Sequence, residues 1–150
     1  QEWDFILPES YKTFMEAFGP VSVAGSYQIM HPAGGKPDSD MASYNKSTRG
    51  FLENNLSEVR KCRKWYPQLM RVVTFGSDYC GDTYAWDPLE VTDHSACEYG
   101  VYYVIRESER WPPKKIADTF HEFIELFLLG GGLSTLDSDL EPLERFFTYA

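Results

Sequence analysis

From Val72 to Ile105 the chain has neither lysine nor arginine, yet Asp78, Asp82, Asp87, Glu90, Asp93 and Glu98 all fall inside that interval. A surface made from such a segment repels nucleic-acid phosphates and attracts a basic protein partner. Long apolar runs are also lacking. The best, FIELFLLGGG, is broken by Glu125 and stays short of the ~18 residues that a membrane-crossing helix needs, so no membrane contact is expected. Cysteine is scarce: Cys62, Cys80 and Cys97 are odd in number and spaced by 18 and 17 residues, which matches neither a disulfide framework nor a CxxC pair. They read as small, buried or half-buried thiols in a reducing compartment. No basic start leads into an apolar stretch and a small-residue cleavage site, so a cytoplasmic protein is the expectation. The nucleophile elbow GxSxG, the Walker loop, GxGxxG and HExxH are all missing.

What is present suits one compact domain over residues 1–150, since 43 % of the chain is hydrophobic and 16 % aromatic. The net charge of -9 is unevenly placed. Residues 1–71 carry eight acids against nine Lys/Arg, for +1, and residues 72–150 carry fifteen against five, for -10.

The segment LPESYKTFMEAFG predicts a helix: Pro8 opens it, Leu7, Tyr11, Phe14, Met15 and Phe18 recur at helical spacing, and Gly19 ends it. VSVAGSYQIMHP alternates and predicts a strand or two with a kink at Gly25. Residues 33–46 combine Gly, Pro, Asp and Ser in the manner of a surface loop. A second helix is expected from a Ser47 or Thr48 cap to about Trp65, burying Phe51, Leu52, Leu56, Val59 and Cys62, with Pro67 closing it. The cations of RKCRKW in its last turns suit the carbonyl end of the helix. LMRVVTFG, DTYAWD and YGVYYVIRE then predict three strands, the last central. Thr119 and Glu122 form a capping box ahead of Phe120, Phe123, Ile124, Phe127 and Leu128, a helix that Gly130 stops. Leu140, Leu143, Phe146 and Phe147 suggest a short final helix. Helices at both ends, strands between them and no regular βαβ alternation predict an α+β fold with a mostly antiparallel sheet.

Four segments in order, LPESYKTFMEAFG, VVTFGSDYCGDTYAWD, GVYYVIRE and IADTFHEFIELFL, resemble the SUKH superfamily, the Smi/Knr-type domain. They correspond to its LP-x-x-Y-x-x-F helix, its strand with a Gly-Asp turn and aromatic strand, its V-x-Y strand, and its closing aromatic helix. The resemblance spans roughly residues 7–129, and its motifs are core and turn positions rather than chemistry. It implies a binder without catalytic residues. Members are known mostly as bacterial immunity proteins that neutralise a toxin, often a nuclease, and a smaller eukaryotic branch works as regulatory adaptors.

Asp78, Asp82 and Asp87 are spaced four and five apart, without the order of a calcium loop. On an extended strand Asp82 and Asp87 point to opposite faces, so a turn held by Gly76 and Gly81, with Asp78 and Asp82 bonding nearby amides, fits better than a metal site. His31, His94 and His121 are widely separated. TDHSAC gathers acid, imidazole, hydroxyl and thiol, but neighbours on one loop seldom reach triad geometry. Tyr84 and Trp86 share a strand face, and Tyr103 shares one with Val101 and Ile105, as core residues do. Tyr79, in the acidic turn, suits an exposed hot spot against arginine. No cofactor and no metal is expected. The expected function is that of a non-enzymatic immunity protein binding a basic toxin domain through Asp78, Tyr79, Asp87, Glu90, Asp93 and Glu98. The alternatives are a regulatory or scaffolding adaptor and, third, a metal-dependent enzyme.

Overall fold

Chain order and the places where backbone bonds run out together explain the architecture. A computed structural model describes residues 5–23, 26–32, 40–55, 64–106, 111–131 and the backbone of 147–149. Helix α1 (Glu9–Phe18) follows Pro8 and stops where Gly19 takes a φ of 66°, with Tyr11 and Phe14 buried. Strands β1 (Val21–Val23) and β2 (Tyr27–Ile29) form the anticipated pair; Gly25 lies outside the described residues. Helix α2 (Met41–Asn54) begins earlier than expected, because Asp40 caps it by accepting from the amides of Ala42 and Ser43. The expected 33–46 loop is therefore partly helix, residues 33–39 lie outside the description, and Ser47 and Thr48 are mid-helix.

Pro67 does not close a helix but opens one. It sits in the first turn of α3 (Tyr66–Arg71), where its missing N–H has no intrahelical use. Leu69, Met70 and Arg71 are thus helical, and β3 starts only at Val73, running to Asp78. Of the expected stripe on the second helix, Leu52 is buried and Phe51 is exposed, while Leu56, Val59 and Cys62 lie outside the described residues. Strands β4 (Thr83–Asp93) and β5 (Glu98–Val104) form a long hairpin, and β5, expected to be central, is second from one edge of the sheet, the middle place going to β3. A four-residue strand β6 (Lys114–Ala117) follows the Pro112–Pro113 pair. The Thr119 half of the capping box holds, its Oγ1 accepting from the Glu122 amide at 3.0 Å at the start of α4 (Phe120–Glu122), while the Glu122 carboxylate accepts from the Asp118 amide rather than from that of Thr119. That helix continues with π geometry over Phe123–Leu128, marked by the Leu129 amide bonding Ile124 O. The end of the chain departs from expectation. Phe147–Tyr149 is a strand, β7, paired with β1, and Leu140, Leu143 and Phe146 lie outside the described residues.

The seven strands lie in the order β6-β5-β4-β3-β2-β1-β7 with every paired neighbour antiparallel, so the fold is α+β as expected. Alternation places Val73, Phe75, Tyr84, Trp86, Val101 and Tyr103 on one face, against Tyr11 and Phe14 of α1 and Phe120 and Phe123 of the C-terminal helix. Trp86, fully buried, is ringed by Phe75 at 4.3 Å, Tyr11 at 5.1 Å and Phe5 at 5.7 Å between ring centroids. Burying each such side chain contributes about 1.5–3 kcal/mol. On the other face α2 and α3 cover β3 and β4. Where β2 has ended, Asn45 takes its place: its side-chain amide donates to Thr74 O at 2.7 Å and accepts from Thr74 N at 2.8 Å. Gly76 sits at a bulge where a Cβ would meet Gln28 O at 2.8 Å, so that close approach requires glycine.

Candidate functional site

The cation-free interval supplies β3, β4, β5 and their two turns, and the turns lie at opposite ends of β4. Eleven residues of strand span about 35 Å. Asp78 and Tyr79 are therefore far from Asp93, and the six candidate residues do not form one patch.

Two of the six are interior. Asp87 is 2 % exposed and held by Arg71 of α3 through a two-pronged pair, Nε to Oδ1 at 2.7 Å and Nη2 to Oδ2 at 2.6 Å, with Gln68 and the Leu89 amide completing it. Burial alone would raise its carboxyl, but these bonds prevail and hold it below the usual carboxylate range. Glu98 is 4 % exposed and joins two helix starts: one oxygen accepts from the Ser10 amide of α1 at 2.9 Å, the other from the Phe120 amide of α4 at 3.3 Å. Amides at a helix N-terminus have no intrahelical acceptor, so a buried carboxylate answers both at once. Asp87 and Glu98 leave the set of candidate surface contacts for these reasons.

A third, Glu90, is neutralised from outside the interval. It accepts from Tyr102 Oη and from Lys115 of β6, which also meets Asp118 at 2.6 Å. Gly100 makes room for it, since a Cβ there would lie 2.8 Å from the Glu90 carboxyl carbon. The Tyr102 phenol is pushed up to about 12 by burial and then by the Glu90 hydrogen bond. Asp82 likewise turns inward, accepting from Tyr103 Oη and from the Arg106 amide at 2.6 Å.

What stays outward is smaller and clearer. In the β3–β4 turn, Asp78 Oδ1 accepts from the Cys80 and Asp82 amides at 2.9 and 3.0 Å, and Gly81 takes a φ of 89°. Burial, and next the Asp82 charge, push the Asp78 carboxyl above the usual range in spite of those amides. Tyr79 is 69 % exposed, as expected, and Cys80 is exposed where a buried or half-buried thiol was expected. Beside them Ser22, Ser26, Gln28 and Ser77 line a polar depression of about 240 Å³ that Asp78 and Tyr79 wall. In the β4–β5 turn, exposed Asp93 accepts from the Ser95 hydroxyl at 2.7 Å and from the Ser95 and Ala96 amides, which lower its carboxyl. Ser95 thus gives its proton to Asp93 rather than to His94, so TDHSAC is a closed Asx turn. Among the described residues no group of three or more His, Cys, Asp and Glu side chains could hold a metal ion, and no helix is long and apolar enough to cross a membrane.

The described residues thus form an antiparallel sheet with helices on its faces, exposing a self-braced acidic turn with an aromatic at its tip. The chain belongs to the SMI1-KNR4 cell-wall family of the SUKH superfamily, which it matches over residues 1–124. Neither a curated protein nor a solved structure matches it. Membership is consistent with a protein-interaction role.

Proposed function

We propose that the chain is a non-enzymatic immunity protein that binds a cognate toxin domain and neutralises it by occlusion, acting in the cytoplasm as one domain over residues 1–150. The observation that carries this reading is the β3–β4 turn of a SUKH-family scaffold, where the exposed Tyr79 ring stands beside the half-buried Asp78 carboxylate. An aromatic anchor next to an acid suits an arginine or lysine of a basic partner, and the net charge of -9 speeds the approach of such a partner. Glu90, paired with Lys115, and Asp93, at the far end of β4, lie outside this contact. A toxin that handles phosphate, such as a nuclease, presents the matching cations.

Co-expression with the neighbouring gene tests the function: rescue of growth from that gene's toxicity is the expected result, and killing that continues in the presence of the soluble protein overturns it. Charge reversal tests the site. Asp78→Lys with Tyr79→Ala should weaken binding by about 100-fold, as expected for loss of a hot spot, and unchanged affinity removes the turn from the interface. A second reading, a regulatory adaptor, is favoured by the cell-wall description of the matched family. A neighbouring gene whose product is harmless, together with binding to an envelope or signalling protein, would select it.

A further inference from the structure

The β3–β4 turn is a wall between two depressions of opposite character. Asp78 and Tyr79 line the polar one, and Gly81, in the same turn, lines a cleft on the α2 side. That cleft has a volume of about 170 Å³, with apolar walls from Leu52, Leu69, Val104 and Ile105 and two cations, Arg49 and Arg106, on its lining. No carboxylate lines it among the described residues. Arg106 is placed there by its backbone and its stem: its main-chain amide donates to Asp82, and the stem crosses Gly81, where a Cβ would meet Cδ at 3.1 Å, while the residue stays exposed.

We propose that this cleft receives an acidic side chain on an apolar stem, a glutamate of the protein partner, whose carboxylate meets Arg106. Size decides against a free metabolite, because small-molecule sites usually occupy roughly 300–1,000 Å³, whereas about 170 Å³ suits one side chain. Charge decides the sign of the occupant: on a chain with a net charge of -9, the Arg106 guanidinium at a lining that has no carboxylate among the described residues selects an anion, and the apolar walls select its stem. A partner seated over the turn would place a cation against Asp78 and Tyr79 and an anion against Arg106. That two-sign pattern fixes the register of the complex, where a uniformly acidic face would accept any basic surface. The inference rests on the protein-binding reading for the source of the carboxylate.

The test uses a fragment and needs no partner, so its failure is separate from failure of the co-expression rescue. 4-Methylpentanoate and its neutral counterpart 4-methylpentanamide are titrated into the full chain and followed by amide chemical shifts. The acid should bind in the millimolar range with saturating shifts at Leu69, Thr83 and Val104, and the amide about tenfold more weakly. Arg106→Gln should abolish the difference between the two, and Arg106→Lys should restore part of it. Equal binding of acid and amide overturns the proposal, as do saturating shifts elsewhere or none up to roughly 50 mM. If Arg106→Gln does not fold, the comparison of acid with amide on the unmodified chain decides alone.

Discussion

Replacing Glu98 by glutamine changes one atom and should cost more stability than removing any surface acid of this protein. The carboxylate accepts from the Ser10 and Phe120 amides, each at the start of a helix, in a site 4 % exposed. Glutamine keeps one acceptor and turns an NH2 toward the other amide, so two donors face each other without water. Losing one hydrogen bond to a charged acceptor costs about 1.5–3 kcal/mol, and a buried unsatisfied donor adds about 1–3 kcal/mol. A total of about 3–5 kcal/mol is a large share of the 5–15 kcal/mol typical of a domain. With a urea m-value of about 2 kcal/mol/M, the midpoint should fall by about 1.5–2.5 M with the slope unchanged. The matching change at a surface acid, Glu90→Gln, gives the scale, since exposed ion pairs are worth at most about 1 kcal/mol. A Glu98→Gln midpoint within about 0.3 M of the parent would refute the argument that this carboxylate joins α1 to α4.

Two tyrosines in one core should respond oppositely to the same substitution. Tyr84 Oη is buried with no hydrogen-bond partner, whereas Tyr11 Oη donates to Met30 O, so Tyr84→Phe should stabilise by up to about 1 kcal/mol and Tyr11→Phe should destabilise by about 1–2 kcal/mol in the same denaturation assay. Arg71→Met should cost roughly 2–4 kcal/mol by leaving the buried Asp87 carboxylate without its cation. Because the folded-state pKa of Asp87 is depressed, its contribution is present above the unfolded value of about 3.9 and is lost as pH falls through the folded one, so acid unfolding scans of the parent and of Arg71→Met should stay apart down to about pH 4 and converge only below the depressed folded-state value. Asp78 has the opposite sign: its raised pKa weighs against the fold at neutral pH and is relieved as pH falls, so Asp78→Asn should raise the melting temperature at pH 7 and change it least near pH 4. The Tyr102 phenol, pushed up to about 12, should titrate lower in Glu90→Gln, as read by ring carbon shifts.

Local signals were legible where one short segment contains the whole cause. Thr119 and Glu122 announce a cap contained in four consecutive residues, and the alternation of Tyr84 and Trp86 announces a strand, although Ala85 and Asp87 on its other face are buried as well. Misreadings came where the cause lies elsewhere in the chain. Asp40 looked like loop composition although its side chain starts a helix, and Pro67 has the same identity whether a helix ends before it or begins at it. Strand β6 has two lysines in four residues and no apolar alternation; it exists because β5 offers it an edge. The acidic interval misled in the same way. Its missing cations are supplied by Arg71 and Lys115, from before and after it, and a charge count along the chain cannot see pairings between 16 and 25 residues apart. Arg106, the first cation after the interval, is the residue whose position in the cleft no linear reading assigned.

The turn that carries Tyr79 is braced by its own backbone and by Asp78, and the Tyr79 ring lies mostly outside that bracing. Most of the Tyr79 side chain is therefore open to solvent rather than packed in the core. Under the proposed toxin-binding role, a substitution at position 79 alters the contact while Trp86, Glu98 and Asn45 stay under the constraint of the fold, so recognition and stability fall to different residues.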